Sequence, residues 1–171
     1  MTTLAQQRIA SPTDKVIYTA KTHTTGGREN GAARSSDGQL EIRISPPGWQ
    51  RPGTNPEQLF AAGWSACFEG ALGLVAQRKK IKLPAELAID AEVDLHLDRG
   101  EFFLGARLNV SIPGIERSLA QDLVDAASKV CPYSKAISGK VRWDDTVFGY
   151  TVKDPRRALP TYECYATRRP L

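Results

Sequence analysis

The stretch NPEQLFAAGWSACFEGAL, Asn55–Leu72, decides how the chain folds. Asn55 is a good N-cap, and Pro56 suits the first helical position, where its missing N–H is one of the unbonded ones anyway. Glu57 falls in the first turn, where the helix dipole favours an anion. The apolar pattern continues to Ala76 and runs into Gln77-Arg78-Lys79-Lys80, cations that complement a C-terminal end; Pro84 closes the region. The spacing predicts one helix from Asn55 to about Lys80, apolar almost all round, as a core helix is. In its middle sits Cys67. The residues beside it are small: Ala61, Ala62, Gly63, Ser65, Ala66, Gly70, Ala71 and Gly73. Each interior glycine costs about 1 kcal/mol relative to alanine. A helix tolerates that where another backbone, a second subunit or a ligand must come close.

Outward from this helix the pattern changes to period two. In ELAIDAEVDLHLD, Ile89, Ala91, Val93, Leu95 and Leu97 form one face; Asp90, Glu92, Asp94, His96 and Asp98 form the other. That is a strand with one wet side. DRGE turns the chain, and FFLGARLNVSI repeats the alternation with Phe102, Leu104, Ala106, Leu108, Val110 and Ile112 inward, so the two make a long antiparallel hairpin. IERSLAQDLVDAASKV is an amphipathic helix with Leu119, Leu123, Ala126 or Ala127, and Val130 on its stripe. Upstream, VIYTAKTHTT is β-rich and ends in the loop signal GGREN; QLEIRIS alternates and stops at PPGWQRPGTNP, too rich in Pro and Gly for regular structure. KVRWDDTVFGYTV reads as a last strand. Strands, long helix, hairpin, helix and strand make an α+β fold. The expected organisation is one domain over 1–171, its core about 16–151, with residues 152–171 an irregular basic tail.

The chain has 171 residues, enough for one real core, with 41% hydrophobic and 25% charged residues. The formal charge of +4 is uneven: from Lys153 onward five Lys/Arg face two Asp/Glu, leaving the body near +1. A basic tail is not the basic, aromatic-bearing face of a nucleic-acid binder. Three widely spaced cysteines without a CxxC pair argue against a disulfide scaffold and a structural zinc site. MTTLAQQRIASPTDK holds no apolar run for a signal peptide, and Glu69 with three glycines interrupts the long helix, so no membrane span is expected. A cytosolic setting follows, in which a conspicuous cysteine is more often catalytic or redox-active than bridged.

Read from the residues alone, several side chains remain open. Cys67 is either a small buried hydrophobe or a nucleophile. Cys131, just before Pro132, is a helix-boundary residue or a second thiol. Arg28, after Gly26 and Gly27, is a solvated loop arginine or a guanidinium brought to Cys67, where it would favour the thiolate over a thiol of ordinary pKa about 8.5. Glu57 serves the helix dipole, orients that arginine by a bidentate pair, or does both. His96 lies on a wet strand face and His23 at a Thr-rich strand end; neither has the spacing of a Cys-His nucleophile or a metal site. Cys164, in the tail, is inert or a spare thiol.

TGGREN, GTNPEQLFAAGWSACFEGAL and VCPYSKA, in that order, closely resemble the organic hydroperoxide resistance proteins of the OsmC-like superfamily. The resemblance runs from about Val16 to Thr151. It implies an OsmC-like fold, a long antiparallel sheet with a central buried helix, in an intertwined homodimer with two active sites at the interface. It implies a thiol-dependent peroxidase with no metal or other cofactor. In those roles Cys67 is peroxidatic, Cys131 resolving, Arg28 the activator of the Cys67 thiolate, and Glu57 the holder of Arg28. The implied substrates are organic and fatty-acid hydroperoxides, and the implied reductant is a dithiol such as dihydrolipoamide or a lipoylated protein. The apolar setting of Cys67 suits an alkyl peroxide, since each buried methylene contributes roughly 0.8 kcal/mol. The alternatives are the osmotically inducible branch, with the same chemistry and a broader peroxide preference, and a redox-sensing or binding protein without turnover.

One consequence is geometric. Ten residues separate Glu57 from Cys67, about 15 Å along a straight helix. One guanidinium cannot easily touch both, so the Glu57 and Cys67 of one site are expected from different chains. The sequence also departs from the family pattern. The tail after Thr151 has no counterpart there, and PPGWQRPGTNP is shorter than the Gly-rich linker of the family. Glu69, two residues past Cys67, points to another side of the helix.

Overall fold

The computed structural model describes residues 15–138 and 150–153. The expectations for the first fourteen residues, for most of KVRWDDTVFGYTV, and for the tail with Cys164 lie outside the described residues. The chain divides into two compact units, Met1–Thr54 and Asn55–Leu171.

In the first unit three strands pair antiparallel in the order β1-β2-β3: β1 Thr22–Thr25, β2 Gly31–Ser35 and β3 Glu41–Ile44. The strand takes only the last four residues of VIYTAKTHTT; Val16, Ile17 and Tyr18 lie outside it and are exposed. The loop signal GGREN is a single helical turn, α1 Gly27–Asn30. β2 is a strand that its Ala-rich sequence does not announce. Partners on both sides decide it, as context overrides the weak β-propensity of Gly and Ala. The Pro/Gly-rich segment is irregular, and it folds back onto the strand before it. Thr54 N–H donates to Arg43 O, and Ser45 N–H to Thr54 O, each at 2.9 Å. Ser45 Oγ donates to Arg51 O at 2.8 Å.

The second unit opens on the predicted helix, α2 Pro56–Arg78, with Pro56 in the first turn and Asn55 Oδ1 accepting from Gln58 N–H at 2.8 Å. The hairpin follows as β4 Ala88–Asp98 and β5 Glu101–Ser111, in register from Ala88↔Ser111 to Asp98↔Glu101. Arg99 and Gly100 both have positive φ, 49° and 87°, the two-residue turn whose twist matches antiparallel strands. Pairs Ile89↔Val110, Ala91↔Leu108, Val93↔Ala106, Leu95↔Leu104 and Leu97↔Phe102 therefore share one apolar face. On the wet face Arg107 pairs with both Glu92 and Asp94. Helix α3, Arg117–Val130, starts with Glu116 Oε2 accepting from Ser118 and Leu119 N–H. Its buried stripe is Ala120, Leu123, Val124 and Ala127, with Leu119, Ala126 and Val130 half-buried beside it. A short α4, Pro132–Ile137, follows, and β6, Tyr150–Lys153, pairs parallel with β5. Regular structure thus extends two residues into the stretch read as tail.

The core of this unit gathers α2 against β4 and α3. Trp64, Phe68, Leu72, Leu108, Val110, Leu123 and Val124 are fully buried. Helix α2 is long and apolar enough, by length and composition, to cross a bilayer, despite Glu69 and its glycines. Among its residues one side is buried and another is exposed. Trp64, Phe68, Ala71, Leu72, Val75 and Ala76 are buried, whereas Leu59, Ala62, Ala66, Gly70 and Leu74 form an exposed stripe.

Candidate active site

Cys67 stands on α2 one turn after Trp64, at the border between the buried side and the bare stripe. Cys131 occupies the break between α3 and α4. Its extended backbone, φ −60° and ψ 122°, ends one helix and starts the next. Pro132, which has no N–H to donate, enforces that break. The Cys131 N–H still donates to Ala127 O and the Cys131 carbonyl accepts from Lys135 N–H, so both helices hold Cys131. The two sulfurs lie 3.6 Å apart, 64 positions apart in sequence. Both are free thiols, since a disulfide would hold them at about 2.05 Å. Cys131 is fully buried, and Cys67 is half-buried, more open than a helix apolar all round suggests.

Desolvation is the main influence on Cys67 and pushes its thiol pKa up. The Tyr133 backbone N–H opposes this by hydrogen bonding to the sulfur, while the Cys131 thiol adds to the upward shift. The net direction is up, so these neighbours leave Cys67 protonated near neutral pH. A nucleophilic Cys67 needs a cation that none of the three supplies.

Arg28 lies on α1 in the first unit; Glu57 and the two cysteines lie in the second. The turn that carries Arg28 is built from glycine. Gly26 has φ 72°, and a Cβ on Gly31 would sit 2.1 Å from the Gly27 carbonyl oxygen. Glu57 is half-buried in the first turn of α2. That helix runs unbroken to Arg78, so Glu57 and Cys67 are separated by about 15 Å along its axis. His96 lies exposed on the hairpin, stacked on Phe103 with ring centroids 4.8 Å apart. No group of three or more His, Cys, Asp or Glu among the described residues is placed to hold a metal ion.

Three residues close to the thiols escape a reading by motif chemistry. Trp64 Nε1–H donates to Ser134 Oγ at 3.1 Å, a buried bond between α2 and α4. Tyr133 lies over Gly63, where a Cβ would meet its hydroxyl at 2.9 Å, and its ring approaches Phe60 at 6.3 Å. The only sequence signal for the first pair is spacing: Trp64 precedes Cys67 by three residues, and Ser134 follows Cys131 by three.

A mixed α/β chain whose long core helix brings one thiol against a second, at a helix break far along the sequence, defines a cysteine-pair protein. A family model described as OsmC-like protein matches residues 46–144. The chain is 47% identical over 137 residues to the organic hydroperoxide resistance protein of Xanthomonas axonopodis pv. citri, covering 78% of this chain and 95% of that one. The crystal structure of the organic hydroperoxide resistance protein OhrB of Bacillus subtilis superposes with a TM-score of 0.72 at 40% identity, covering 81% of this chain and 100% of that one. A protein described in the same terms from Elizabethkingia anophelis gives 0.72 and 40% over 82% and 99%. The chain belongs to the OsmC-like family, among its organic hydroperoxide resistance proteins.

Proposed function

We propose that the protein is a cysteine-based peroxidase that reduces organic hydroperoxides, fatty-acid hydroperoxides included, to alcohols. The observation that carries this reading is the approach of Cys67 and Cys131 to 3.6 Å. The Cys67 thiolate attacks the distal peroxide oxygen; the O–O bond breaks, the alkoxide leaves as alcohol with a proton, and Cys67 becomes a sulfenic acid. Cys131 then attacks the Cys67 sulfur. Hydroxide leaves with the Cys131 proton as water, and a Cys67–Cys131 disulfide forms. A lipoyl-type dithiol restores both thiols by two exchange steps and is itself oxidised to its cyclic disulfide. No metal or other cofactor takes part, and the setting is the cytoplasm, apart from membrane and nucleic acid.

Arg28 supplies the cation that Cys67 lacks among its neighbours, and Glu57 orients it. The unbroken α2 supports a site shared by two chains, with Arg28 and Glu57 of one facing Cys67 and Cys131 of the other. Two bare apolar surfaces support the same homodimer. One is the stripe Leu59, Ala62, Ala66, Gly70 and Leu74 beside Cys67. The other is the distal hairpin, where Leu95, Leu97 and Phe102 are 42%, 63% and 69% exposed while the same apolar face is fully buried at Leu108 and Val110. A monomer rarely leaves a continuous apolar ladder half uncovered.

The test is turnover with cumene hydroperoxide and dihydrolipoamide, with hydrogen peroxide as the comparison substrate. Catalytic consumption, faster with the organic peroxide, is expected. Faster reaction with hydrogen peroxide would move the protein to the broader-specificity branch. Absence of turnover, with the thiols still oxidised stoichiometrically, would make it a redox sensor.

A further inference from the structure

We infer that the buried Trp64–Ser134 hydrogen bond is a clamp that sets the distance between the two thiols, making Trp64 and Ser134 positioning residues for disulfide closure. The inference rests on the peroxidase reading above and deepens it at the step where Cys131 attacks oxidised Cys67.

The clamp is symmetric about the thiols. Trp64 stands three residues before Cys67 on α2, and Ser134 three residues after Cys131 on α4. Each partner is thus three residues, about 4.5 Å of helical rise, from the cysteine it serves. The bond is 3.1 Å long, joins residues 70 positions apart, and is buried, with Trp64 at 0% and Ser134 at 5% exposure. In that setting an indole N–H without a partner is costly, so the two elements cannot drift apart without penalty. Beside it, Gly63 lets Tyr133 lie against α2, where any Cβ would touch the tyrosine hydroxyl. α3 holds Cys131 through its N–H on Ala127 O, and the bond to Trp64 ties the six-residue α4 on its other side to the helix that carries Cys67.

The chemistry makes the distance matter. Closure must bring two sulfurs now 3.6 Å apart to about 2.05 Å, on the side of Cys67 opposite its departing hydroxide. A misplacement near 1 Å in such a step costs up to about a hundredfold. A slower closure leaves sulfenic acid exposed to a second peroxide, which oxidises it to sulfinic acid. The first oxidation needs only Cys67 and peroxide, so the clamp acts mainly on the second step.

The experiment compares wild type, Ser134→Ala, Trp64→Phe and the conservative Ser134→Thr, each mixed with cumene hydroperoxide and acid-quenched. Mass spectrometry reads Cys67 sulfenic acid, Cys67–Cys131 disulfide and Cys67 sulfinic acid over time. For Ser134→Ala and Trp64→Phe, the ratio of closure rate to first-oxidation rate is expected to fall at least tenfold. Sulfinic acid should then accumulate at peroxide levels that leave wild type intact, and Ser134→Thr should restore the ratio. A merely structural role would lower the melting temperature and leave the ratio within twofold, and that result overturns the inference. So does failure of both disrupting variants to fold, because the bond would then serve the core rather than the thiols. If wild type forms no Cys67–Cys131 disulfide at all, the peroxidase reading itself fails first.

Discussion

Cys67 and Cys131 hold their sulfurs 3.6 Å apart, with the proposed attacking thiol half-open and the proposed resolving thiol fully buried. That inequality predicts an order of events, because peroxide reaches the open sulfur first. Cys67→Ser is expected to abolish turnover. Cys131→Ser should consume one equivalent of cumene hydroperoxide per chain to reach the sulfenic acid and a second to reach the sulfinic acid, where it stalls, read by intact-mass measurement. Sustained turnover in Cys131→Ser would transfer the resolving role to another thiol, and non-reducing peptide mapping would show whether that is Cys164.

The raised thiol pKa of Cys67 makes the role of Arg28 measurable. An acid whose folded pKa lies above its ordinary value keeps its proton as pH rises through neutrality, so the thiolate must be drawn out by a cation. Below that pKa the thiolate fraction climbs about tenfold per pH unit. Arg28→Ala is therefore expected to lose at least tenfold in kcat/KM at pH 7 and to regain activity steadily toward pH 9, while wild type changes little. Parallel pH profiles would remove Arg28 from thiolate activation.

Glu57 and Cys67, on one unbroken helix, are too far apart for a single guanidinium. Inactive Glu57→Gln and inactive Cys67→Ser chains, mixed and allowed to exchange, should therefore complement. Random pairing of a two-fold dimer restores one intact site in half of the dimers, about a quarter of wild-type activity. If Glu57 and Cys67 act within the same chain, the mixture stays dead.

Leu97 and Phe102 face each other near the hairpin turn and are both largely exposed. Leu97→Asp and Phe102→Asp remove apolar surface worth about 25 cal/mol per Å² of burial and place a charge there instead. Sedimentation is expected to show a monomer with lost peroxidase activity and unchanged secondary structure. A stable dimer of either variant would assign the interface elsewhere.

Two glycines give different outcomes. At Gly31 an added Cβ meets backbone oxygens, Gly27 O at 2.1 Å and Thr25 O at 3.0 Å, which cannot step aside. Gly31→Ala should destabilise by about 1–3 kcal/mol and distort the turn that carries Arg28. At Gly63 the Cβ meets the end of the Tyr133 side chain, which can swing, and alanine gains helix propensity, so Gly63→Ala should change stability by less than about 1 kcal/mol. Thermal melts of the two variants separate the cases.

What the sequence determined by itself is whatever local chemistry dictates. Asn55, Pro56 and Glu57 announce the start of α2, and strict alternation from Ile89 to Leu97 and from Phe102 to Ile112 places the hairpin and its register. Cys67, Cys131, Arg28 and Glu57 are legible as candidates from their local settings: a helix of small residues, a helix boundary before Pro132, the Gly26-Gly27 pair and the first turn of α2. The tertiary structure decided what depends on partners distant in the chain. β2 forms because strands flank Gly31–Ser35 on both sides, and β6 chooses β5 and a parallel direction that no pattern in its own residues states. The 3.6 Å approach of Cys67 and Cys131 spans 64 positions, and the Trp64–Ser134 bond spans 70. Periodicity reports which face of an element is apolar; it carries no information on which element covers that face. For the same reason α2 reads as apolar all round, yet only packing shows which side this chain buries and which it leaves bare beside Cys67.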